Sequence, residues 1–76
     1  MTDEQNRITR NPAILAGKPV IRGTRISVEF VLELLAGGWS EADILENYPG
    51  VTREDIRACL NYALGLVSSE RAISAA

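Results

Sequence analysis

Three stretches of the chain place apolar residues at helical spacing, and each opens on a residue suited to cap a helix. Val28, Val31, Leu32 and Leu35 fall at i, i+3, i+4 and i+7 and make one stripe. Ser27 precedes them as an N-cap, because its hydroxyl oxygen accepts a first-turn amide, and Glu29 sits where the helix dipole favours an acid. Gly37 and Gly38 end this helix through a left-handed cap. Ser40-x-x-Asp43 opens a second, barely two turns long, with Ile44, Leu45 and Tyr48 inward and Pro49-Gly50 ending it. Thr52-x-x-Asp55 opens the third and longest, whose stripe reads Ile56, Cys59, Leu60, Ala63, Leu64 and Val67, with Leu60 at its centre as a core residue. Gly65 weakens that helix and Ser68-Ser69 offer it an end, leaving residues 68–76 as a tail for which both a helical and a non-helical course stay open.

Upstream of Ser27 the pattern changes. Asn11-Pro12, Gly17-Lys18-Pro19 and Arg22-Gly23-Thr24 are turn chemistry, too broken for a helix. Ile8-Thr9, Val20-Ile21 and Thr24-Arg25-Ile26 are rich in β-branched residues and predict two or three short strands around a turn at Pro12 to Leu15. Residues 1–6 are polar, without periodicity, and read as a frayed terminus. The expected fold is therefore all-α: a three-helix core over residues 27–67, a small N-terminal β element over 7–26, and one domain in all.

Composition adds an excess and a set of exclusions. A chain of 76 residues hides only roughly 60% of the surface its unfolded form exposes, so 46% hydrophobic content is more than one small core needs. That excess predicts a homodimer, with the N-terminal strands pairing across a two-fold axis so that their edges are covered. A single cysteine and no histidine supply neither a disulfide framework nor a zinc ligand set, and no cofactor is expected. The acidic, polar N-terminus and the lack of a long apolar run predict a cytoplasmic protein without signal peptide or membrane span. Without histidine, or a nucleophile beside a base, catalysis is not expected.

The net charge of −2 conceals a segregation. Residues 7–25 hold Arg7, Arg10, Lys18, Arg22 and Arg25 with no acid, a local charge of +5, whereas residues 26–76 sum to −5. Such asymmetry suggests two different partners or head-to-tail electrostatics in an oligomer. Lys18, Arg22 and Arg25 lie among glycines that let a backbone approach phosphate, which makes them candidate nucleic-acid contacts. Pairing with Glu29 or Glu33 is the alternative. The second and third helices have the lengths of a helix-turn-helix, and Arg53, Arg57 and Asn61 recur at i, i+4 and i+8 on the third, where they face a groove or simply solvent. Glu54 and Asp55 in the same first turn oppose phosphate. Trp39 is placed as a hydrophobic staple against Ile44, Cys59 as a small buried residue, and Glu41, Asp43 and Glu46 as solubilising charge.

Over residues 17–63, GKPVIRGTRISVEFVLELLAGGWSEADILENYPGVTREDIRACLNYA, the sequence resembles a family of small prokaryotic proteins known as domain of unknown function 433. Its distinctive run is Gly17-Lys18-Pro19-Val20-Ile21-Arg22-Gly23-Thr24-Arg25-Ile26, followed by the helix pattern and the Tyr48-Pro49 turn. The resemblance implies a homeodomain-like three-helix core behind small strands. It also implies a VapB-like antitoxin of a type II toxin-antitoxin pair, encoded beside a PIN-like nuclease toxin. No catalytic residue carries over. The expected function is a non-catalytic, dimeric, DNA-binding antitoxin or transcriptional regulator, with operator DNA and a PIN-like toxin as partners. A protein-interaction module that never touches DNA is the alternative.

Overall fold

A computed structural model describes residues 4–74, with side chains over residues 6–68. The order is α1 (Glu4–Arg7), β1 (Ile8–Arg10), β2 (Pro19–Ile21), α2 (Val28–Ala36), α3 (Glu41–Asn47) and α4 (Arg53–Ser74). Three main helices, α2 to α4, and a two-stranded N-terminal ribbon make up the domain, the fold class read from the pattern. The stretch taken as a frayed terminus instead ends in one helical turn, α1, packed against α4; residues 1–3 lie outside the described part.

β1 and β2 pair antiparallel, Ile8 opposite Ile21 and Arg10 opposite Pro19. The third extended piece is not a strand. Thr24 folds its hydroxyl back to donate to the Ile21 carbonyl at 2.8 Å and accepts the Ile26 amide at 3.0 Å, so the chain reverses tightly. Only Ser27 still bridges to Val20. Gly23, at φ +81°, supplies the left-handed backbone this reversal needs.

The capping chemistry is realised residue by residue. Ser27 Oγ accepts the Phe30 amide at 2.9 Å. At the end of α2 the Trp39 amide donates to the Leu34 carbonyl and the Gly38 amide to that of Leu35, the paired bonds of a Schellman motif, with Gly38 at φ +102°. Ser40 and Asp43 exchange reciprocal bonds, and so do Thr52 and Asp55. These three starts fix where each helix begins, and therefore which faces meet.

Ile21, Val28, Val31, Ile44, Val51, Ile56 and Cys59 form the buried cluster, drawn from β2, α2, α3, the α3–α4 turn and α4. Trp39 packs against this cluster, and its ring lies 6.2 Å from that of Tyr48. The stripe assigned to α4 is only half right. Ile56 and Cys59 are buried, but Leu60, Leu64 and Val67 are 43%, 54% and 54% exposed. Asp55, Ala58 and Tyr62 take the inward positions instead. The core meets α4 along Asp55, Ile56, Ala58, Cys59 and Tyr62, rotated from the apolar stripe, because α2 and the ribbon both pack on that side. The helix runs through Gly65 and Ser68 to Ser74, so of the two readings of the tail the helical one holds that far; residues 75–76 lie outside the described part.

Candidate nucleic-acid interface

The five cations of the basic segment are divided by the fold into engaged and free. Arg7 Nη1 donates to Asp55 Oδ1 at 3.1 Å, and Arg10 Nη2 to the Tyr62 hydroxyl at 3.0 Å. Both clamp the ribbon along α4. Lys18 Nζ lies 3.0 Å from Glu29 Oε1 in an exposed pair, the pairing held open as its alternative role. Arg22 and Arg25 remain, exposed on the turn after β2, with no ion pair or side-chain hydrogen bond among the described residues.

That turn has a defined place. The Arg22 amide donates to the Arg7 carbonyl at 2.7 Å, and Arg7 reaches Asp55 in the first turn of α4. The 22–25 turn and the start of α4 thus occupy the same end of the molecule. Lys18 lies at the opposite end of β2, beside the first turn of α2, so the structure does not gather Lys18, Arg22 and Arg25 into one cluster.

On α4, Arg53, Arg57 and Asn61 are all exposed on one side. Arg53 Nε lies 3.5 Å from Glu41 Oε1 across the α3–α4 turn, a loose surface pair. Arg57 carries no ion pair among the described residues. The acids that opposed phosphate binding behave differently from one another. Asp55 is buried, and its charge is met by Arg7 and by the Thr52 amide, so only Glu54 still projects a negative field from the first turn. Sequence reasoning assigned Arg7 and Arg10 no individual role. Their partners lie 48 and 52 residues away, and local spacing carries no signal at that range.

Two other groups are quiet. Burial pushes the Cys59 thiol up to about 12, with the Asp55 charge adding to the effect, so it stays protonated and unreactive in the folded chain. Asp43 is held below the ordinary carboxylate range by the Ser40 backbone amide first and the Ser40 side chain second, the electrostatic signature of its cap. No described helix is long and apolar enough to cross a membrane.

Similar proteins supply a family but no activity. The model of a family described as "Protein of unknown function (DUF433)" matches residues 8–63, which span the ribbon, α2, α3 and the first turns of α4. An uncharacterized protein, y4eO, of Sinorhizobium fredii is 43% identical over 56 residues. The match covers 74% of this chain but only 25% of that protein, so the chain spans about a quarter of its curated relative. The crystal structure of a DUF433 member from Anabaena variabilis superimposes with a TM-score of 0.78 at 34% identity, covering 92% of this chain and 70% of that one.

Proposed function

This chain belongs to the DUF433 family, and from its geometry we propose that it is a non-catalytic DNA-binding regulator of the antitoxin kind, working as a homodimer. The observation that carries this is the set of arginines the fold leaves unpaired: Arg22 and Arg25 on a tight glycine turn, and Arg57 on the exposed side of the helix that follows a short helix and turn. In helix-turn-helix docking the early residues of the second helix reach base edges, and flanking cations hold phosphates. Neutralisation of Asp55 by Arg7 supports the same reading, because it removes a repulsive charge from the end of α4 that would approach DNA. The antitoxin part rests on the family resemblance. A PIN-like toxin would be met by the acidic helix faces, where Glu33, Glu46 and Glu54 are exposed.

Titration of labelled DNA from its own promoter over a range of salt concentrations tests the reading. Arg22→Ala with Arg25→Ala is expected to weaken specific and random DNA alike and to lower the salt slope by up to about 2, roughly one for each phosphate no longer neutralised. Arg57→Ala is expected to cost about 1 to 3 kcal/mol on the preferred site and little on random DNA. Lys18→Ala should do least, since Glu29 already holds that ammonium. No binding at low salt, alone or with a co-expressed neighbour, overturns the DNA reading in favour of an interaction module. The exposed leucines of α4 are the observation that favours that second reading.

A further inference from the structure

We propose that the C-terminal half of α4 is the face through which two copies of this chain pair; the proposal rests on the homodimer reading above and assigns it a surface. Leu60, Leu64 and Val67 recur at i, i+4 and i+7 on one side of the helix, and Leu66, 60% exposed, lies about 100° further round, joined to the stripe through Ala63. Leu66 also walls an open groove of about 220 Å³ whose other lining residues include Pro19, Val28, Leu32, Tyr62 and Ala63. The apolar excess expected from composition is concentrated here.

Three observations choose a second copy as the occupant. The first is area. Exposures of 43%, 54%, 60% and 54% at Leu60, Leu64, Leu66 and Val67 leave roughly 400 Å² of apolar side chain open, at the size where an exposed patch marks an interaction site. Such a patch is about half of the roughly 800 Å² that each partner contributes to a stable specific interface, the share an apolar centre takes before its polar rim is added. The second is charge. Between Arg57 and Glu70 the sequence has no charged residue, although the chain as a whole is 24% charged. A two-fold interface brings each patch against its own twin, so any charge there would face a like charge; a neutral patch avoids that repulsion. The third is that the competing surface is small, since each ribbon strand has at most a three-residue outer edge to offer a second copy. The strands expected to pair across a two-fold axis pair with each other inside one chain, over three residues each. Helix packing across the dimer would also cover a continuous stripe, where side chains three and four apart form the ridge that a second helix needs.

Analytical ultracentrifugation of the full chain at tens of micromolar, with Leu64→Asp and Leu64→Cys variants, tests this. The unmutated chain should sediment at twice 8.3 kDa. Leu64→Asp should sediment as a monomer with its helical circular dichroism retained, and Leu64→Cys should form a disulfide-linked dimer on mild oxidation while Cys59 stays buried. A dimer that survives Leu64→Asp, with no disulfide cross-link in the Leu64→Cys variant, overturns the surface and leaves the homodimer standing on another face. An unmutated chain that is monomeric overturns both. If Leu64→Asp unfolds, the cross-link alone decides: formed, it supports the face; absent from a dimeric chain, it overturns it.

Discussion

Over its first three turns α4 is enclosed on one side: Asp55 bonds to Arg7, Ile56 and Cys59 sit in the core, and the Tyr62 hydroxyl accepts a bond from Arg10. Beyond Tyr62 the same helix, with an equally apolar sequence, leaves Leu64, Leu66 and Val67 mostly in solvent. Backbone and periodicity do not distinguish the halves. What separates them is how closely other elements cover the helix: Arg7 and Arg10 reach the first half, whereas beside Leu66 the approach of α2 leaves an open groove. An apolar stripe thus reports that a surface is to be covered, and leaves open whether its own chain or another one covers it.

The contrast is sharpest in a pair of truncations. Ile56→Ala, in the enclosed half, should destabilise by about 2 to 5 kcal/mol, enough to unfold much of a small domain. Leu60→Ala, on the adjoining exposed stripe, should cost the fold itself under about 1 kcal/mol in dilute solution. Urea denaturation of both measures the difference; equal losses would mean that the stripe is buried within the chain.

Next in size comes Asp55, which serves the cap and the ribbon together. Asp55→Ala should cost about 1 to 3 kcal/mol, through loss of the Thr52 capping exchange and of the charge opposite Arg7. Asp55→Asn keeps an acceptor for the cap and should lose less. If the two melt alike, the Arg7 ion pair is the interaction that matters.

The smallest effect is a pH dependence. A carboxyl held below its ordinary value adds stability that is complete above that value and is lost as pH falls through the lowered one. Asp43 should therefore contribute at neutral pH and cease to contribute on acidification below about pH 4. Melting temperatures of the parent and Asp43→Asn should converge toward low pH. A gap that is constant across that window would remove the role assigned to the Ser40 exchange.

Much of this architecture is legible in the sequence because helix starts and stops are written locally. Ser27, Ser40 and Thr52 each act within three residues, and Gly38 needs only the preceding turn, so all four follow from spacing. The inward side of α4 is different. It follows from α2 and the ribbon packing on that side, with Arg7 and Arg10 reaching Asp55 and Tyr62 from the far end of the chain, and none of these contacts is local in sequence. The candidate interface divides along the same line. That Arg22, Arg25 and Arg57 are exposed follows from turn chemistry and helix spacing. The Lys18–Glu29 pair, 11 residues apart, is one of the alternatives the sequence leaves open, whereas the quieting of Asp55 by Arg7, 48 residues away, depends on a pairing that no local window contains.

Those long-range clamps also set an order in time. Arg10 and Tyr62 are 52 residues apart, and synthesis at about 5 to 20 residues per second separates their emergence by about 3 to 10 seconds. During that interval the ribbon has been made but the helix it lies on has not. A two-stranded hairpin of three-residue strands has no independent stability in water. The nascent chain therefore waits with its basic segment unpaired, Arg7 and Arg10 included, and the division between engaged and free arginines is established only as α4 leaves the ribosome.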